Sequence, residues 1–180
     1  ADIESDYFKE LVVRWAQFGV FSPVMRLHGS RKRQSTYVDR HPGIIEKSGG
    51  DNEIWSFGEE DYVILKDLVE LRNRLKPYIC KYMDITTETG APIMRPMFFD
   101  YYDDEICYTL EDQYMFGEDI LFAPITGQGQ TKRKVYLPKG QWIDTRTKEE
   151  ISGEKWIECQ AAIDEFIAFV KKGSDIINAF

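Results

Sequence analysis

The chain has 180 residues, of which 43% are hydrophobic and 14% aromatic, so it can bury a substantial core and lacks the composition of a disordered segment. Its formal net charge of −8 argues against nucleic acid or an anionic membrane surface as a partner. No apolar run approaches the length that crosses a bilayer, and the N-terminus has no leader pattern, so we expect no membrane partner.

An amphipathic helix is predicted at the start of the chain, capped by Ser5 or Asp6. The apolar positions that recur at helical spacing are Phe8, Leu11, Val12, Trp15 and Phe18. We expect this face to be buried, with Trp15 and Phe18 packed against each other, against Leu71 or against a neighbour. A turn is predicted at Gly19.

A short apolar strand is predicted from Val20 to Leu27, with Ser22-Pro23 marking its start. Because it lacks polar alternation, it is typical of a strand buried on both faces in a parallel sheet. The strand carries Arg26, and His28 follows at its C-terminal end, where polar residues of α/β folds usually face the ligand crevice. His28 and Arg26 are therefore the candidate site residues, although a histidine at a strand end is more often structural than functional.

Residues 30–57 read as a long polar loop. Long loops in compact domains are functional or disordered, so this one is either a rim or lid over the site or a solvated insertion.

A long second helix is predicted next, with Glu59, Glu60 and Asp61 in its first turn, where the helix dipole favours negative charge. Its apolar face comprises Ile64, Leu68, Leu71, Leu75, Ile79 and Tyr82. Pro77 is expected to kink or split the helix. The run Thr89-Gly90-Ala91-Pro92 is a strong stop signal.

The pattern changes after Pro92 to short strands separated by turn signals. Strands are predicted at 93–102 (interrupted by Pro96), 119–125, 134–137, 141–144, 155–159 and 166–170, and residues 103–115 form a short helix or an irregular turn. Pro138-Lys139-Gly140 predicts a hairpin between two of these strands. Such spacing favours an antiparallel β-sandwich. We therefore expect two parts, residues 1–90 and residues 91–180.

Motifs for cofactors or metals are missing from the sequence. Gly127-Gln128-Gly129 is followed by a predicted strand and not by a helix, so it does not cradle a phosphate. The histidines and the three cysteines, Cys80, Cys107 and Cys159, lack metal-ligand spacing. We expect no cofactor and no metal, and reduced core thiols in a cytoplasmic protein. Carboxylates such as Asp100 and Asp119 read as turn residues.

The helix–strand–loop–helix of residues 5–90 looks like the last units of a barrel, yet a complete (β/α)8 barrel needs about 250 residues. One buried strand cannot close a sheet. Either this half packs on something absent here, or the chain is a fragment.

Several runs of the chain closely resemble glycoside hydrolase family 31, the retaining α-glucosidases and α-xylosidases. They are, in order, Arg14–Gly29, Glu53–Glu59, Leu71–Ile79, Gly90–Asp100, Asp112–Pro124 and Val135–Trp142. The resemblance covers nearly the whole chain, and so many collinear matches do not arise by chance.

The resemblance implies an α+β fragment: the last helix–strand–helix units of a (β/α)8 barrel (residues 1–90) followed by an antiparallel β-sandwich domain (residues 91–180). It implies an oligosaccharide or α-glycoside as substrate and the remainder of the catalytic barrel as partner. The two catalytic aspartates of the family lie upstream, and no residue here matches either motif, so no catalytic residue is assigned to this chain. His28 matches the family histidine that hydrogen-bonds the sugar next to the scissile bond. Arg26 could orient a loop or a carboxylate.

Two hypotheses follow. In the first, the chain is the C-terminal portion of a family 31 α-glycosidase and is inactive alone. In the second, it is a non-catalytic module whose aromatic sandwich binds carbohydrate or a partner. A self-sufficient module should have residues 5–90 well packed, whereas a fragment should leave the apolar strand at Val20–Leu27 exposed or covered by another copy of the chain, as in a homo-oligomer.

Overall fold

A computed structural model describes residues 5–28 and 52–180 of the chain. Its helices are α1 (Asp6–Val20), α2 (Glu59–Thr89) and the short α3 (Met97–Asp100), with 3-10 helices at Ile54–Phe57, Glu105–Tyr108 and Asp175–Ala179. Its strands are β1 (Met94–Pro96), β2 (Tyr114–Phe116), β3 (Ile120–Phe122), β4 (Lys132–Leu137), β5 (Gln141–Asp144), β6 (Glu150–Ser152), β7 (Lys155–Gln160) and β8 (Ala168–Lys171). Within these residues no helix combines the length and the apolar character that crossing a membrane requires.

All strand pairs of the two sheets are antiparallel. The larger sheet has six strands in the order β1-β2-β3-β8-β5-β6, and β4 pairs with β7 in a separate two-stranded sheet. The predicted fold class, an α+β fragment with helical units followed by an antiparallel β-sandwich, is confirmed, although the strand predicted between the two helices does not form.

The six-stranded sheet forms the middle of three layers because both of its faces are apolar. On β2, Met115 packs into the core between the two sheets, whereas its neighbour Phe116 packs against the helices. The same alternation continues on β3, where Leu121 faces the second sheet and Ile120 and Phe122 face the helices. The helices and the sandwich therefore share one continuous apolar contact.

Helix α1 begins where it was predicted, but it buries a different face. The Ser5 side chain accepts a hydrogen bond from the amide of Phe8 at 3.4 Å and caps the helix. The buried residues are Val13, Ala16, Gln17 and Val20, and not the predicted stripe. Of the predicted stripe, Leu11 and Trp15 are exposed, whereas Phe8, Val12 and Phe18 are half-buried and pack against the same core.

The expected burial of Trp15, Phe18 and Leu71 is correct for only one of the three. Leu71 is buried, Phe18 is half-buried and Trp15 is 72% exposed. The Trp15 and Phe18 rings do lie close, with centroids 6.5 Å apart.

The predicted strand from Val20 to Leu27 is wrong. Helix α1 passes through Gly19 and ends at Val20, residues 21–23 form a turn and bends, and residues 24–28 have no regular secondary structure. A strand requires a partner for its backbone groups, and none of the strands in the described ranges pairs with this segment.

Helix α2 follows the prediction closely. Leu68, Leu71, Leu75, Ile79 and Tyr82 are buried, and its first turn is acidic. It ends at Gly90, whose φ of +77° is the left-handed conformation that glycine adopts without strain. Pro77 does not split the helix, which runs continuously past it, and both Pro77 and Asn73, four residues earlier, lie on the exposed side.

The predicted hairpin at Pro138-Lys139-Gly140 is also wrong. Strands β4 and β5 flank this turn but belong to different sheets. Val135 on β4 and Trp142 on β5 are both fully buried in the core between the sheets, so they approach it from opposite sides. The indole of Trp142 donates to the Pro138 carbonyl at 2.9 Å and fixes the crossing.

One tyrosine joins α2 to the turn between β2 and β3. The Tyr78 hydroxyl donates to the carbonyl of Phe116 at 2.9 Å and accepts from the amide of Asp119 at 3.1 Å. Gly117 between them has a φ of +63°, and a Cβ there would overlap the Tyr78 hydroxyl. The turn therefore needs glycine for two reasons: the backbone has a positive φ, and the Tyr78 ring occupies the space that a side chain would fill.

Candidate functional site

The outer apolar side of α1 and the segment that follows it line an open groove of about 390 Å³. Its walls include Leu11 and Trp15 from the helix and Val24, Leu27 and Phe57 from beyond it. Trp15, Val24 and Leu27 are 72%, 76% and 49% exposed, an unusual concentration of solvent-facing large apolar side chains. The groove is therefore a surface that lacks an apolar cover within the described part of the chain.

Both candidate residues lie at this groove. Arg26 and His28 are exposed and belong to its lining, and their role as site residues stays a prediction. The sequence predicted that a strand end would carry both residues, but in the structure they lie on an irregular segment. Much of the 30–57 loop lies outside the described residues, which resume with Asn52 in the groove wall.

A guanidinium from α2 holds the start of this segment. Arg72 Nη1 donates to the carbonyls of Val20 at 2.7 Å and Ser22 at 2.6 Å, and its Nη2 donates to the carbonyl of Pro23 at 2.9 Å. Burial lowers the pKa of Arg72 from its ordinary value. An arginine has the fixed fork of donors that three carbonyls need, and a lysine does not.

The remaining carbonyl of this turn is held from the sandwich. Tyr114 on β2 donates its hydroxyl to the Phe21 carbonyl at 2.9 Å. The Phe21 ring stacks on Phe122 of β3 at 4.2 Å. Burial raises the pKa of Tyr114, with an opposing contribution from its contact with Ser22, so the phenol stays protonated and able to donate.

Sequence reasoning missed Arg72 and Tyr114. Arg72 lies in the run Leu71–Ile79 that resembles the family. Nothing in the local pattern, however, shows that a charged residue beside the buried Leu71 reaches a segment about 50 residues away. Tyr114 reads as one more aromatic strand residue. Their role becomes visible only from the hydrogen bonds.

The C-terminal half of α1 is itself fastened to the sandwich by two polar side chains. Arg14 donates to the carbonyl of Glu165 at 2.9 Å, and Gln17 donates to the carbonyls of Ile163 at 2.8 Å and Glu165 at 3.1 Å. Gln17 is 3% exposed, and Arg14 also donates to its side-chain oxygen at 3.0 Å. These contacts fix the orientation of the helix, and hence of its groove face.

The carboxylates singled out in the sequence lie elsewhere and act structurally. Asp100 accepts from the buried Arg95 at 3.0 Å, and Asp119 accepts from the Tyr82 hydroxyl at 3.4 Å. Burial raises the pKa of Asp100, and this outweighs the lowering by Arg95. The described lining of the groove contains no Asp or Glu, so it offers no pair of carboxylates for acid–base chemistry.

The cysteines are free, and two of them fit the expectation of core thiols. Cys107 and Cys159 are buried, and burial raises their pKa to about 12 and about 11. Cys80, on α2, is exposed instead. Across residues 5–28 and 52–180, no group of three or more His, Cys, Asp or Glu side chains is placed to hold a metal ion.

Two family models match the chain in sequence. Residues 4–82 match the glycosyl hydrolases family 31 TIM-barrel domain, and residues 90–177 match the glycosyl hydrolase family 31 C-terminal domain. Curated relatives include an alpha-glucosidase 2 from Bacillus thermoamyloliquefaciens, 36% identical over 93% of this chain and 19% of the relative. An alpha-xylosidase from Saccharolobus solfataricus is 33% identical over 95% of this chain and 21% of the relative.

The solved structures agree with the sequence matches. A GH31 alpha-xylosidase from a soil metagenome, complexed with xylose, superposes with a TM-score of 0.88 at 44% identity and covers 98% of this chain and 27% of that one. The chain thus spans about a fifth of the length of the curated relatives it matches. On this collinear match of barrel end and following domain, the chain belongs to glycoside hydrolase family 31.

Proposed function

We propose that this chain is the C-terminal portion of a retaining α-glycosidase that removes terminal α-linked glucose or xylose from oligosaccharides or glycosides. The observation that carries the proposal is the exposed apolar groove with Arg26 and His28 in its wall. A large apolar face beside two polar side chains is what one side of a sugar pocket presents when the facing wall belongs to other residues. Relatives that are named alpha-glucosidase and alpha-xylosidase support the substrate class.

The proposed roles of the two parts of the chain are based on the two matches to the family. Residues 1–90 supply the end of the catalytic barrel, and residues 91–180 form the sandwich behind it, with the boundary at the left-handed Gly90. The remainder of the barrel would cover the groove face of α1. The buried, unpaired Cys107 and Cys159 support a cytoplasmic location.

In this proposal the chain binds and orients sugar, whereas the reacting carboxylates come from the rest of the barrel. Retaining hydrolysis needs two carboxyl groups about 5–5.5 Å apart, and no Asp or Glu is among the described residues that line the groove. His28 donates a hydrogen bond to a sugar hydroxyl, and such a bond accelerates the reaction where it strengthens as charge develops on the ring. Arg26, on the same segment, orients a neighbouring loop or carboxylate. No cofactor is required.

The alternative, a self-sufficient module that binds carbohydrate, is favoured by exposed aromatic side chains on the sandwich. Tyr102 is exposed, and the rings of Phe98 and Tyr108 stack at 5.2 Å. The exposure of Val24 and Leu27, however, is what the fragment hypothesis expects. Isomaltotriose binding by the purified chain, abolished by Tyr102→Ala and not by His28→Ala, would favour the module.

The function is tested first on the chain alone. The purified 180-residue chain should not hydrolyse aryl α-glucosides or aryl α-xylosides, and appreciable turnover would contradict the assignment of the catalytic groups to other residues.

The second test uses a chimera in which the rest of a catalytic barrel is present. This chain replaces the corresponding segment of the soil-metagenome alpha-xylosidase, to which it is 44% identical. We expect a xyloside-hydrolysing chimera in which His28→Ala lowers kcat/KM by about 10- to 100-fold, since losing one such hydrogen bond costs roughly 1–3 kcal/mol. Lys76→Ala on the exposed side of α2 is the control and should leave kcat/KM unchanged. An active chimera indifferent to His28→Ala would refute the role of the histidine.

A further inference from the structure

Four consecutive carbonyls, those of residues 20–23, accept hydrogen bonds from side chains that come from two different layers of the protein. Arg72 of α2 binds three of them, at 2.7, 2.6 and 2.9 Å. Tyr114 of β2 binds the fourth, that of Phe21, at 2.9 Å. This turn leads directly into the irregular residues 24–28, which carry Arg26 and His28.

Such an arrangement replaces strand pairing. Backbone carbonyls in a folded protein require donors, and in an irregular segment the donors must be side chains or water. Hydrogen bonds from a charged guanidinium are stronger than neutral ones, and three of them from one planar group fix the relative orientation of the peptides they bind.

Packing reinforces this anchor. The Phe21 side chain is fully buried and stacks on Phe122. The Ser22 hydroxyl donates back to the Phe18 carbonyl at 2.9 Å. Met25 is half-buried and packs against the core of the helices, whereas residues 24 and 26–28 are exposed. The described structure therefore fixes the direction of this segment at the turn and at Met25.

We infer that Arg72 and Tyr114 are positioning residues for the sugar-binding segment: together they set the direction in which residues 24–28 leave the turn, and hence where His28 meets the sugar. The inference rests on the proposed function in that it takes His28 as the sugar contact. It adds that a tyrosine of the β-sandwich, which itself does not line the groove, takes part in shaping the active site.

The test uses substitutions that remove donors and keep bulk. In the chimera, Arg72→Met should lower kcat/KM on the order of 10- to 100-fold, as misplacements of about 1 Å do, with kcat affected more than KM. Arg72→Lys should recover part of the loss. Tyr114→Phe keeps its ring packed against Phe18 and Phe122 and should have a smaller effect in the same direction. Arg74→Met is the matched control, because Arg74 binds the Ala179 carbonyl at 2.6 Å and not the turn.

Coupling to His28 separates positioning from general destabilisation. In the His28→Ala background, Arg72→Met should cause little further loss, since the group it positions is gone. Full additivity of the two losses, or an Arg72→Met enzyme as active as the wild type, would overturn the inference and leave the proposed function intact.

A measurement that does not depend on activity completes the test. In the 180-residue chain, NMR order parameters of residues 21–25 should fall in Arg72→Met and Tyr114→Phe and stay unchanged in Arg74→Met. Unchanged order parameters in all three variants would overturn the anchoring. If His28→Ala proves harmless in the chimera while Arg72→Met loosens the turn, the role of His28 in the proposed function fails and the anchoring itself stands.

Discussion

Replacing Gly117 with alanine should destabilise the protein through two separable effects. The first is backbone strain: Gly117 has a φ of +63°, and a residue with a side chain in that region costs about 1–2 kcal/mol. The second is steric, because the added Cβ would overlap the Tyr78 hydroxyl and approach Tyr78 Cζ and Tyr82 Cε2 to 2.7 Å. Displacing Tyr78 would leave the Phe116 carbonyl and the Asp119 amide without their partner, at about 1–3 kcal/mol.

The expected total for Gly117→Ala is therefore about 2–5 kcal/mol in the free energy of unfolding. For a chain of this size that corresponds to a fall in Tm of roughly 4–20 °C. Urea denaturation and thermal melts followed by circular dichroism measure both quantities. The assay needs no enzymatic activity and can be run on the chain itself.

The matched control is Gly129→Ala. Gly129 has nearly the same backbone conformation, with a φ of +67°, but nothing lies within 4 Å of the position that its Cβ would occupy. It should cost only the strain of about 1–2 kcal/mol. In a Tyr78→Phe background, which removes the overlapping hydroxyl, Gly117→Ala should cost less than in the wild type. A Gly117→Ala variant no less stable than Gly129→Ala would refute the steric part of the reasoning.

Two further predictions concern buried polar groups. Gln17→Ala removes the donor to the carbonyls of residues 163 and 165 and should lower the free energy of unfolding by about 1–3 kcal/mol. The control is Tyr7→Ala, an exposed position on the same helix, which should stay within about 0.5 kcal/mol of the wild type. Equal costs for the two variants would contradict a stabilising role of the Gln17 hydrogen bonds. Asp100 has a pKa raised by burial, despite Arg95 and Lys171 and with Glu118 acting in the same direction as burial. Its folded state thus holds the proton more tightly than its unfolded state, so its contribution to stability is greatest at acid pH and falls as pH rises through the raised pKa. The stability of the wild type relative to Asp100→Asn should therefore decrease from acid to neutral pH in urea titrations, and an increase would contradict the sign.

Local signals were sufficient where the structure depends on local chemistry. The end of α2 could be predicted because Gly90 adopts a conformation that only glycine tolerates easily. The acidic first turn and the leucine stripe of the same helix were read correctly for the same reason: each depends on neighbours within a few residues. The turn signals also located β3, β4, β5, β7 and β8 of the sandwich. The strand predicted at 93–102 is limited to Met94–Pro96, and β2 and β6 were not predicted.

Predictions failed where the outcome depends on distant partners. Helix α1 has apolar residues on more than one side, so its periodicity does not show which side is buried. In the structure Val13 and Ala16 are buried, whereas Leu11 and Trp15 are exposed. The turn at Pro138 joins two apolar strands, but nothing nearby shows that they belong to different sheets. Arg26 and His28 do line the groove although the strand that was predicted to carry them does not form, and their role in binding sugar stays a prediction.

The two faces of α1 connect these observations to the proposed function. Its small face is closed by contacts within the chain, through Val13 and Ala16 and through the polar fastening at Gln17. Its large face, with Trp15, stays open on the side where Arg26 and His28 lie. A sequence selected only for its own stability would bury the larger side chains, because burial of a large apolar side chain contributes about 1.5–3 kcal/mol. Leu11 and Trp15 nevertheless stay exposed beside the candidate sugar contacts, whereas Phe8, Val12 and Phe18 pack against the core, and this exposure supports the proposal that the rest of a barrel covers the groove.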